Sequence, residues 1–165
     1  MSWHRFWAPM LVLAVLLALP GTIEAAWVGV DIGAPDPAGT YVESTPGVHS
    51  VTGAGVDIWG TNDSFFYVYE DTGTTSTDFV LTAQVSSLTG THTHAWQKGG
   101  LMVRDTLDDN AIHAFMAITS ANGWAFQGRE TVGAASVSTH LGNASYTAPT
   151  WLKLERQGDV FTGYT

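Results

Sequence analysis

Beyond about residue 55, apolar and polar side chains alternate along the chain with a period of two. Almost nowhere do apolar residues recur at three and four, so the pattern calls for strands and not helices. It predicts strands over 56–59, 65–70, 78–86, 96–105, 111–119, 123–131, 150–156 and 159–164. The breaks between them are rich in Gly, Asn, Asp, Ser and Thr: "GTND", "EDTGTTST", "LTGTHTH", "LDDN", "SANG", "VGAAS" and "QGD". "SANGW" carries Asn-Gly, a strong two-residue turn signal, and "RQGDVF" reads as a second hairpin. Many short strands with little helix imply an all-β chain, an antiparallel sandwich or barrel.

Alternation also sorts the strands into two faces, because successive side chains point to opposite sides. One face is apolar: Phe79, Leu81, Ala83 and Val85, then Leu101 and Val103, then Ile112, Ala114, Met116 and Ile118, then Trp124 and Phe126. The other face carries Gln84, Lys98, Met102, Arg104, His113, Phe115, Gln127 and Arg129. Planar hydrogen-bonding groups beside an aromatic ring suit a sugar, whose hydroxyls need directed partners and whose C–H side needs a flat apolar surface. The same residues also fit a solvated sheet face with cross-strand charge pairs.

The ends and the composition narrow the setting. Residues 1–25 have a basic start, an apolar run "FWAPMLVLAVLLALP" and a small-residue close "GTIEAA", the order of a secretory signal cleaved after Ala25. The apolar run is short for a bilayer, which needs about 20 apolar residues. The expected domain is therefore 26–165, exported, with no membrane attachment after cleavage. A 165-residue chain with no cysteine relies on packing and not on disulfides, which suits a bacterial secreted protein. Net charge is −9 with six Lys and Arg, so there is no basic stripe for nucleic acid. "DVFTGYT" runs to Thr165 without a turn, and further strands are expected beyond it.

Catalytic chemistry finds little support. A glycosidase needs two carboxylates about 5–9.5 Å apart, and no strand carries acids two or four apart. Glu70 and Asp71 end a strand, Asp108 and Asp109 sit in a turn, Glu130 stands alone, and Glu155 and Asp159 flank a hairpin. No Ser elbow, Cys nucleophile or phosphate loop is present. His92, His94, His113 and His140 lack helical metal spacing, and "TGTHTH" reads as a loop. Calcium, which takes oxygen ligands from loops, would find its best cluster at Asp57, Asn62 and Asp63, although turn chemistry explains the same residues. Trp59 and Trp96 read as core anchors near strand ends. Trp151 and Leu152 cannot share a face, which puts one of them at the sheet edge.

Five segments, in order, carry a resemblance: "GAGVDIWGTNDSFFYVYE", "VLTAQVSSL", "AWQKGGLMVRDTL", "HAFMAITSANGWAFQGRETVG" and "WLKLERQGDVFTGYT". Together they resemble a secreted bacterial module of the concanavalin A-like lectin/glucanase superfamily, labelled "regulation of enolase protein 1-like" and akin to the C-terminal sandwich of β-xylosidases. "DIWG" and "KGGLMVR" are the most specific parts, and "IGAPDPAGTY" is similar to the module's opening strand. The resemblance implies a jelly-roll sandwich of two antiparallel sheets, with a "DG" turn and further strands after "FTGYT". It also implies a non-catalytic, carbohydrate-associated role within a larger secreted or surface protein. The expected function is thus binding of carbohydrate or another extracellular ligand on the polar face, led by Arg104, His113, Gln127 and Arg129. A structural or adhesion module is the first alternative, and a glycoside hydrolase the second.

Overall fold

The computed structural model describes residues 2–4, 11–12, 27–73, 77–90, 94–140 and 147–165. Among these the chain is all-β, and no helix is present. The strands in order are β1 (Ser2–His4), β2 (Leu11–Val12), β3 (Val28–Ile32), β4 (Thr40–Thr45), β5 (Val48–Thr52), β6 (Asp57–Trp59), β7 (Asn62–Tyr69), β8 (Phe79–Val85), β9 (Lys98–Arg104), β10 (His113–Thr119), β11 (Trp124–Arg129), β12 (Val137–His140), β13 (Thr150–Gln157) and β14 (Val160–Tyr164). Every pairing is antiparallel.

Three sheets stack as layers. The first is β14–β13–β8, with β1 on the β14 edge; the second is β12–β11–β10–β9, with β2 on the β9 edge; the third is β3–β7–β6. Between the first and second lies the main core: Leu81, Leu101, Val103, Ala114, Met116, Ile118, Phe126, Leu152, Leu154 and Phe161. Each of these side chains other than Ala114 contributes roughly 1.5–3 kcal/mol by leaving water. Gly163 lets the sheets close in, because a Cβ there would stand 2.7 Å from Met116 Sδ.

The second core lies on the other side of the middle sheet, where Met102, Phe115 and Ala117 meet Ile32, Ile58 and Tyr67 of the third. The middle sheet is thus covered on both faces, and all seven residues of β10 are buried. The β4–β5 hairpin carries mostly exposed residues.

Every side chain assigned to the apolar face by alternation lies in or against the main core. The predicted strands correspond to β6–β11, β13 and β14, with shifted ends. The 96–105 strand starts only at Lys98, because Gln97 N–H donates to His94 C=O (2.9 Å) and makes a turn of the lead-in. Six strands are not anticipated by the pattern: β1 and β2, within the expected signal segment, and β3, β4, β5 and β12. "IGAPDPAGTY" is mostly the connection between β3 and β4, and the opening strand lies before it, at Val28–Ile32. Most of residues 1–25 lie outside the described residues.

Candidate functional site

The polar face exists much as alternation places it. In the register of the middle sheet His113 stands between Arg104 and Arg129, Phe115 between Met102 and Gln127, and Thr119 opposite Lys98. Gln84 is the exception: β8 belongs to the other outer layer, and Gln84 faces away from the main core. The expectation that this face meets a ligand needs correction, because the third sheet covers it. Arg104 and Arg129 are 0 % exposed, and His113, Gln127 and Phe115 are also buried.

The cations are buried because β7 brings them an anion. Asp63 points inward from β7 and takes a two-pronged contact from Arg129, Nη2 to Oδ1 at 2.7 Å and Nη1 to Oδ2 at 3.0 Å. Arg104 Nη1 reaches Oδ2 at 3.5 Å. The planar guanidinium fork suits such pairing. Arg129 spends its remaining donors on the carbonyls of Ala111 (2.9 Å), Ala134 (2.8 Å) and Gly60 (3.2 Å) and on Ser136 Oγ (3.2 Å). Arg104 Nε donates to Thr106 C=O at 2.7 Å and its Nη2 to Asp108 C=O, while its guanidinium carbon lies 5.3 Å from the Phe65 ring centre. His113 sits 3.6 Å from Asp63 and neither ring nitrogen has a hydrogen-bond partner. Burial, and then the two arginines, hold its pKa down at about 3, so the ring is neutral near pH 7.

A second pair lies further along. Lys98 Nζ is 2.6 Å from Asp57 Oδ1 and donates to Gln127 Oε1 and Ile58 C=O, each at 3.1 Å. The two groups of residues singled out from sequence, one for calcium and one for a ligand, therefore come together and pair with each other. This overturns the calcium site: both Asp63 oxygens face guanidinium groups, Asp57 faces Lys98, and Asn62 Oδ1 accepts from Thr61 Oγ1 (3.1 Å). Among the described residues no three His, Cys, Asp or Glu side chains are grouped to hold a metal. His94 is exposed in its loop, and His92 lies outside the described residues.

Above this network the surface opens into a shallow hollow of about 460 Å³. The β6–β7 hairpin forms it. Its turn is Gly60–Thr61, with Gly60 at φ +59°, so Trp59 pairs directly with Asn62. Alternation then sends Ile58 and Asp63 inward while Asp57, Trp59 and Asn62 face out. Gly33 closes another wall: a Cβ there would stand 2.5 Å from Asp63 C=O, and its φ is +68°. Half-buried Asp109 completes the rim, its carbonyl accepting Asp63 N–H at 2.7 Å. The charged residues that line the hollow are Asp57, Asp63 and Asp109, of which Asp57 is paired with Lys98, and Asp63 with Arg104 and Arg129 beneath.

Trp59 was read as a core anchor from sequence and is instead 43 % exposed on the edge of this hollow. The signal was present in "DIWG": with Ile58 inward, Asp57 and Trp59 must both face out. Trp151 likewise faces solvent, opposite the buried Leu152. No protein-family model matches the chain, and no curated protein or solved structure gives a significant match.

Proposed function

We propose that the chain is a non-catalytic binding module that takes an uncharged sugar in the hollow beside Trp59. The carrying observation is the exposed Trp59 ring next to outward-facing Asn62 and Asp57, above a floor held by ion pairs. The ring offers a flat surface to the C–H side of a pyranose, and the Asn62 amide N–H groups and the still-exposed part of the Asp57 carboxylate, whose side chain is 42 % exposed, offer directed partners to its hydroxyls. A volume of about 460 Å³ falls within the ordinary range of small-ligand sites, about 300–1,000 Å³. The site differs from the one expected from sequence, but the class of ligand is the same.

The wider reading supported by the sequence is a concanavalin A-like jelly roll, exported and joined to other modules of a larger secreted or surface protein. Two of the hollow's carboxylates, Asp57 and Asp63, are ion-paired, which speaks against a pair free to act as acid and base. The test is a glycan array followed by calorimetry with free hexoses and oligosaccharides. Wild type is expected to bind at least one neutral glycan, and Trp59→Ala to lose about tenfold or more in affinity. An empty array overturns the sugar reading, and turnover of any polysaccharide overturns the non-catalytic one.

A further inference from the structure

The outward face of the first sheet is covered by no other described element. In β13, Leu152 and Leu154 enter the main core at 0 % exposure, which forces Trp151, Lys153 and Glu155 to point the other way. Trp151 is 58 % exposed, more than any other described aromatic. Gln84 stands directly across from it on β8, and Tyr164 stands across from Lys153 on β14. These side chains are half-buried or exposed in a row that crosses all three strands of the layer.

The row divides into a held part and a free part. Lys153 Nζ lies 3.7 Å from the Tyr164 ring centre and 3.1 Å from Glu155 Oε2, and Gln157 Nε2 donates to Glu155 at 2.9 Å. Hydrogen bonds from Lys153, then from Tyr164, hold the Glu155 carboxyl below its ordinary pKa. The Trp151 ring and the Gln84 amide have no such tie among the described residues. One cation and one anion cancel here, although the whole chain carries −9. A neutral patch on a strongly acidic molecule complements an uncharged partner. This face and the hollow lie on opposite outer layers.

We propose that this face is a second binding surface, on which an extended, uncharged, β-linked polysaccharide lies flat. Trp151 stacks on the C–H face of one pyranose, and Gln84 exchanges hydrogen bonds with hydroxyls at its rim. The Lys153–Glu155–Tyr164 set meets the next unit along the strand, where four residues span ~14 Å. The surface works independently of the hollow.

The experiment is a pull-down of the full chain on microcrystalline cellulose and on insoluble β-mannan. Wild type is expected to bind at least one of them. Trp151→Ala should lower the bound affinity about tenfold, with Trp151→Phe restoring most of it, and Gln84→Ala should lower it about threefold. Val48→Ala, on the remote β5, should bind as wild type does. Excess free glucose and galactose should release nothing. No binding to either solid overturns the proposal, and so does undiminished binding by Trp151→Ala. Release by the free hexoses would transfer the binding to the hollow and overturn it as well. Sedimentation supplies a further check: if Trp151→Ala turns a dimer into a monomer, the face meets a second copy and the proposal fails. Trp151 is solvent-facing, so equal melting temperatures for all variants keep these outcomes separate from misfolding.

Discussion

Two polar faces of this molecule are built from similar residue types and meet opposite fates. The face of the middle sheet, with Lys98, Arg104, His113, Gln127 and Arg129, is sealed beneath β3, β6 and β7. The outward face of β8–β13–β14, with Gln84, Lys153, Glu155 and Trp151, lies open. What separates them is the availability of a cover that brings counter-charge. Asp63 and Asp57 arrive on the β6–β7 hairpin and meet the cations below, and that same hairpin supplies Ile58 to the second core. On the open face the charges already satisfy each other within the sheet, so burial would cost desolvation with nothing to offset it.

The comparison breaks most sharply at Asp63. Asp63→Ala leaves two guanidinium groups buried without their anion and should destabilise the fold by about 3–5 kcal/mol in urea unfolding. A loss under about 1 kcal/mol would mean that water reaches the cluster. Arg129→Lys keeps the charge but drops the fork. It strands the carbonyls of Ala111, Ala134 and Gly60, with an expected cost of about 1–3 kcal/mol in the same measurement.

His113 sharpens the comparison through pH. Its folded pKa of about 3 lies below the ordinary 6.5 of the unfolded chain. Between those values the unfolded state holds a proton that the folded state refuses, so stability falls as pH drops from about 6.5 towards about 3. His113→Gln should flatten that slope, seen as a smaller difference between urea midpoints at about pH 7 and about pH 4.5. The smallest effect belongs to the open face: Trp151→Ser should change stability by no more than about 0.5 kcal/mol. A larger loss would show that Trp151 is packed in solution.

The two-sheet core was legible in the sequence because strands such as "AIHAFMAIT" alternate cleanly and Leu, Ile and Met have one favourable destination. The third layer was not. β3 holds Val28, Val30 and Ile32 at period two, but Gly29, Gly33 and the prolines after it mask the run as a turn. With that layer unseen, the cations of β9–β11 had no visible partner and read as a surface. Asp63 could not be matched to them by spacing, since it lies 41 residues from Arg104 and 66 from Arg129. Trp59 and Trp151 were legible in direction, because each neighbours an inward aliphatic, but tryptophan's usual place near a core argued the other way.

Asp63 has one further consequence, and it is thermodynamic. The residue whose buried carboxylate joins the upper two layers also lines the hollow, so site and scaffold share one residue. A ligand held there binds only the layered state, and by mass action it must raise the melting temperature as its concentration rises. If the hollow binds as proposed, a substitution at Arg104, which does not line it, should also change the ligand's affinity through the position of Asp63. Because the floor is already locked by ion pairs, little ordering entropy is lost when the site fills, and changes in affinity there should be read chiefly in the dissociation rate.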